Sequence, residues 1–155
     1  MFKKILVAID GSTYSKLVLP AAIEVAAKFD GEILVLHVSE HDRGRAAVFT
    51  LETPAEATRL VADAAKTARQ AGITATGQLR DVAVGHVAKA IVETAEANAI
   101  DLIVMGSRGL SDVQGLMLGS VTHKVMRTAD IPVLVVRPPR KKALSTNGAV
   151  ASFKA

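Results

Sequence analysis

Three unbroken apolar runs, Ile5–Ile9, Ile33–Leu36 and Leu102–Met105, constrain the fold of this chain most. A strand wetted on one face alternates apolar and polar residues, whereas one apolar at every position must be covered on both faces. Candidate strands fall at 2–9, 32–38, 73–80, 101–106 and 132–136. Helical patterns fill the gaps at 13–29, 54–71, 84–98 and 120–129. Strict alternation of strand and helix predicts an α/β domain with a parallel sheet between two helical layers.

The first helix is expected to bury Val18, Ala22, Val25 and Phe29, with Pro20 kinking it or delaying its start. Thr53-Pro54-Ala55-Glu56 is a capping box with proline at the first helical position. Gly72 ends that second helix, whose predicted core face is Ala57, Val61, Ala64, Ala68 and Ala71. The third is expected to bury Val84, Ala88, Ile91 and Ala95. Ile73 to Arg80 alternates, which predicts an edge strand. The last run, Ile131-Pro-Val-Leu-Val-Val136, is apolar throughout; if it too is an edge, something must cover it. Residues 39–53 read as a long loop of the kind that carries function.

The chain of 155 residues suits one domain, and half of it is hydrophobic. With no cysteine, disulfide and thiolate chemistry are excluded. The apolar run after Met1 is shorter than a secretory h-region, and no run approaches the roughly 20 residues of a membrane span. A cytoplasmic setting without membrane association is therefore expected. Arg137, Arg140, Lys141, Lys142 and Lys154 account for the basic balance. Setting those five aside from 19 basic residues leaves 14 against 15 acids, a body of net −1. The positive charge is a property of the tail, so nucleic acid is not the expected partner. A domain over 1–137 and a disordered basic tail over 138–155 follow.

Chemistry concentrates at two strand ends. Gly106-Ser-Arg-Gly109 closes the fourth strand, and nine residues later Gly119-Ser120 opens a helix. Glycines admit close backbone approach and positive φ, and a helix N-terminus attracts anions, so the group reads as a phosphate cradle. Its plainer reading is a turn followed by a serine N-cap. Asp10 ends the first strand. If strands one and four are neighbours, Asp10 and Gly106 flank the point where strand order reverses, the usual ligand crevice of such sheets. A carboxylate there suits ribose hydroxyls or Mg²⁺, or it simply caps the first helix.

These residues resemble the universal stress protein family. Its nucleotide motif, Gly-x2-Gly-x9-Gly-Ser/Thr, is matched by Gly106, Gly109, Gly119 and Ser120. Ile-Leu-Val-Ala-Ile-Asp-Gly-Ser at 5–12, Leu-His-Val at 36–38, residues 101–109 and residues 131–136 support the match. The resemblance implies an open doubly wound five-stranded sheet of order 3-2-1-4-5. That is an adenine nucleotide alpha hydrolase-like three-layer sandwich with ATP at the switch point. It implies that Asp10 faces ribose and Mg²⁺, that the Val38 backbone meets the adenine edge, and that Gly106 and Gly109 wrap the sugar and phosphates. Gly119, Ser120 and Val121 would bind phosphates, with Ile9, Met105, Arg108 and Thr122 completing the lining. Arg108 by itself reads as a solvated side chain, and Met105 and Met117 as packing residues. ADP, AMP or cyclic AMP would share the adenine and ribose contacts.

The histidines offer less. His37 on its strand reads as packed rather than catalytic. His41 with Asp42 lacks the further ligands a metal needs. His86 and His123 read as solvent-facing, the latter near the cradle. The function expected is an ATP-binding homodimeric regulatory module of stress response, paired through Val133–Val136. A slow ATPase or nucleotide transferase at the same pocket is the enzymatic alternative, and a nucleotide-free interaction protein is the third. No general base is evident beside the cradle, and the sequence names no protein partner.

Overall fold

Apolar patterning decides the architecture of the computed structural model, which describes residues 1–13, 15–41, 52–108 and 118–138. The strands are β1 (Lys4–Ile9), β2 (Glu32–His41), β3 (Ala75–Ala83), β4 (Leu102–Gly106) and β5 (Val133–Val136). The helices are α1 (Ser15–Phe29), α2 (Pro54–Gln70), α3 (Val87–Ala97) and α4 (Ser120–Thr128). All neighbouring strands are parallel, in the order β3-β2-β1-β4-β5. Both expected edges, β3 and β5, are edges in space.

Each apolar run of β1 feeds two cores. Ile5, Val7 and Ile9 face α1 and α2, packing with Val18, Ala22, Ala26, Val61 and Ala68. Leu6 faces the other way, into a cluster with Leu36, Ala88, Ile91, Ile103 and Val125. Helices α1 and α2 therefore cover one face, and α3 and α4 the other. At about 25 cal/mol per Å² of apolar surface, such double coverage makes the central strands the principal source of burial energy.

The capping box of α2 forms as expected. Glu56 N–H donates to Thr53 Oγ1 at 3.2 Å, and Thr53 N–H donates to Glu56 Oε2 at 2.7 Å. The Thr53 backbone N–H, then its hydroxyl, hold the Glu56 carboxyl below its ordinary pKa. Gly72, at φ +83, stops the helix.

Several local expectations are corrected. β2 runs on to His41, pairing through Ser39↔Asp81 and His41↔Ala83, so the loop expected from 39 starts later. Residues 42–51 of that loop lie outside the described residues, as do Gly109, Met117 and residues 139–155 of the tail. β3 begins at Ala75 and α3 at Val87, leaving Val84 before the helix and 61% exposed. In α1, Ser15 and Ala26 are buried where Val25 and Phe29 are half-buried. Pro20 lies inside α1 without ending it. In α2, Ala65 is buried where Ala64 is half-buried and Ala71 is exposed. Alanine-rich helices offer nearly equal apolar faces, so the larger partner across the contact chooses between them.

Candidate nucleotide site at the strand-order reversal

β1 sits between β2 and β4, with rungs Ala8↔Met105 and Ile9↔His37, so strand order reverses between β1 and β4. Asp10 leaves the end of β1 and Ser107 the end of β4. Such a reversal splays the two exit loops apart and opens a crevice at the carboxyl ends.

The Asp10 side is tightly organised. Its carboxylate Oδ1 accepts the Ser12 N–H at 3.0 Å and the Ser15 hydroxyl at 2.7 Å. Its own N–H donates to Ser15 Oγ at 2.8 Å. Ser15 N–H, at the start of α1, donates to Ser12 Oγ at 3.2 Å. Gly11 turns between them at φ +78. Asp10 thus serves the entry to α1 with Oδ1. Ser12 and Ser15, both buried, are site residues the sequence reading missed. Their signal was the Asp-x-Ser-x-x-Ser spacing.

The Gly106 side is braced from two elements. Ser107 N–H donates to the Val136 carbonyl at 2.9 Å, and Gly119 N–H donates to the Ser107 carbonyl at 2.7 Å. Thr122 Oγ1 donates to the Gly106 carbonyl at 2.8 Å. These bonds dock the N-terminus of α4 on the end of β4. Gly119, not Ser120, is the N-cap, and Ser120 is the first helical residue with its side chain exposed. A glycine cap has no side chain to bond the first N–H groups, leaving the opening turn of α4 suited to an anion. Gly119 sits at φ −69, ψ 155, extended backbone open to any residue, so positive φ is not why glycine stands there.

The remaining expected residues divide by what they present. The side chains of Ile9 and Met105 are buried on opposite faces of the sheet, so only their backbones are near the crevice. Thr122 is 3% exposed with its hydroxyl proton committed to Gly106. Val121 is half-buried, and Arg108, read as solvated, is half-buried as well. On β2, Glu32 N–H donates toward β1 and Ile33 N–H toward β3, and this period of two turns the Val38 backbone toward β1, beyond whose last residue its carbonyl lies. Gly109 lies outside the described residues.

His37 is packed, at 4% exposure, with Nδ1 2.8 Å from the Ile9 carbonyl and Nε2 2.6 Å from Glu52. His41 Nδ1 lies 2.6 Å from Asp81 Oδ1. His86 and His123 are exposed. Among the described residues no group of three or more His, Asp or Glu side chains is placed to hold a metal, and no helix is long and apolar enough to cross a membrane.

A five-stranded parallel sheet of this order between two helical layers defines an adenine nucleotide alpha hydrolase-like fold. The universal stress protein family model matches residues 1–137, and the chain belongs to that family. It is 36% identical over 156 residues to universal stress protein YxiE of Bacillus subtilis, covering 88% of this chain and all of that one. The solved structure of protein MJ0577 of Methanocaldococcus jannaschii is similar at a TM-score of 0.77 and 27% identity, covering 91% of this chain and 99% of that one. A universal stress protein from Archaeoglobus fulgidus, solved in complex with dAMP, is similar at a TM-score of 0.66 and 25% identity, covering 87% and 98%.

Proposed function

We propose that this chain binds an adenine nucleotide, ATP foremost, in the crevice between the ends of β1 and β4. There it works as a homodimeric regulatory module of stress response in the cytoplasm. The observation that carries the reading is the docking of the glycine-capped N-terminus of α4 on the Gly106–Ser107 turn. That arrangement puts backbone donors and the positive end of a helix where a phosphate chain would enter. The dAMP complex of the Archaeoglobus fulgidus relative supports the same class of ligand here.

Residue by residue, Asp10 meets the ribose, and the Val38 backbone meets the adenine edge. Gly106 and Gly109 flank the sugar and phosphates, and Gly119, Ser120 and Val121 hold the phosphates. Mg²⁺ would arrive with the nucleotide, with Asp10 as the carboxylate offered to it. ADP, AMP and cyclic AMP compete through the shared nucleoside contacts. The family match spans residues 1–137, and we place the domain boundary there.

Regulatory binding is favoured over turnover because Oδ1 of Asp10 is already shared by Ser12 and Ser15, which suits a fixed acceptor better than a base. Calorimetry with ATP, beside a steady-state hydrolysis assay, tests both parts. Saturable binding with negligible turnover is expected. Failure to bind any adenine nucleotide overturns the reading, and turnover on the scale of seconds replaces it with an ATPase.

A further inference from the structure

His37 does more than fill a hole in the core. A carbonyl oxygen can only accept, so Nδ1, 2.8 Å from the Ile9 carbonyl, carries a proton and donates it there. The other ring nitrogen meets Glu52 Oε2 at 2.6 Å. Glu52 stands immediately before Thr53, the N-cap of α2. One buried imidazole therefore joins the end of β1, the body of β2 and the entry to α2.

The Ile9 carbonyl and the Asp10 N–H belong to one planar peptide group. Its oxygen is held by His37, and its N–H is held by Ser15 Oγ at 2.8 Å. A peptide plane pinned at both ends fixes the direction in which Asp10 leaves the strand. On its other side His37 is the chain neighbour of Val38. The two residues assigned above to ribose and adenine are thus tied to one side chain.

We propose that His37 and Glu52 are a positioning pair for the nucleoside half of the ligand. The inference rests on the adenine nucleotide reading, because it concerns how that site is held. A pair that only filled the core would change stability and leave the affinity of folded protein alone. A positioning pair changes affinity for the nucleoside, and it does so equally with and without phosphates, because the phosphate contacts lie on α4.

Two variants test it by calorimetry with adenosine and with ATP, well below each variant's thermal midpoint. Glu52→Leu leaves the imidazole without its second partner; the Glu52 side chain is 30% exposed, so the change is tolerable for folding. Glu52→Gln replaces the contact, its amide donating to Nε2. Glu52→Leu is expected to weaken adenosine and ATP by the same factor, roughly tenfold, the scale of one hydrogen bond. Glu52→Gln is expected to restore most of that loss, and His37→Phe to lose at least as much as Glu52→Leu. Wild-type affinity for adenosine in Glu52→Leu, a loss confined to ATP, or no recovery in Glu52→Gln overturns the proposal. Wild-type protein that binds neither ligand overturns the nucleotide reading itself, and this inference with it.

Discussion

Ser15 and Asp10 hold each other twice. The Asp10 N–H donates to Ser15 Oγ at 2.8 Å, and the same hydroxyl donates to Asp10 Oδ1 at 2.7 Å. A serine on the first turn of a helix thereby fixes both the backbone and the carboxylate of the residue that ends β1. Ser15 is 9% exposed, so water does not readily replace it.

Ser15→Ala is therefore expected to cost roughly 1–3 kcal/mol of stability, the range for leaving a buried polar group unpaired. Urea denaturation with a fixed slope checks the figure. Adenosine and ATP should both bind more weakly, since the carboxylate loses the Ser15 hydroxyl that helps orient it. An unchanged midpoint would mean that solvent satisfies Asp10 as well as Ser15 does.

The cradle on α4 has a separate signature. Ser120→Ala removes a hydroxyl expected to bond a charged phosphate, worth roughly 1.5–3 kcal/mol or about 10- to 150-fold in ATP affinity. Adenosine affinity should hardly move. Gly119→Val should weaken ATP more, because a branched side chain obstructs the approach to the first N–H groups; backbone strain is not the reason, given φ −69. Asp10→Ala should weaken adenosine and ATP alike. Calorimetry on the three variants with both ligands decides it, and wild-type ATP affinity in Ser120→Ala and Gly119→Val would reduce the cradle to a turn.

Gly77 of β3 faces Val61 of α2. A Cβ built there would stand 2.3 Å from Val61 Cγ1, and Val61 is buried against the core. Gly77→Ala is expected to destabilise the fold by roughly 1–3 kcal/mol through overpacking. The double variant Gly77→Ala, Val61→Ala should recover part of the loss. Thermal melts of the two variants measure it; a neutral Gly77→Ala would show that α2 shifts without cost.

The β5 edge supplies the assembly test. Among the described residues Val133–Val136 pairs with β4 alone, and Leu134 is 38% exposed. An apolar open edge is disfavoured in water, so pairing with a second copy about a two-fold axis is expected. Val135→Lys should move the wild-type dimer to monomer in sedimentation at tens of micromolar. A monomeric wild-type protein would refute the pairing.

The sequence alone determined the α/β class, the alternation of strands and helices found among the described residues, and β3 as an edge strand; the edge position of β5 came with the family resemblance. It could do so because those features are written in local periodicity. Apolar runs such as Ile5–Ile9 admit only a doubly covered strand, and Thr53 with Glu56 closes its capping box within four residues of chain. The family motif was legible for the same reason, since Gly106, Gly109, Gly119 and Ser120 recur at fixed spacing. What tertiary structure decided involves partners far apart in the chain. No local pattern tells that Thr122 reaches back to Gly106, that Ser107 bridges Val136 and Gly119, or that His37 joins Ile9 to Glu52. The ends of β2 and β3 were misplaced because each strand's length is set by its partner: Ser39 to His41 extend only because Asp81 to Ala83 lie beside them. The face of α2 was legible at Ala57, Val61 and Ala68 and misjudged at Ala64 and Ala71, where alanine repeats make neighbouring positions equally apolar.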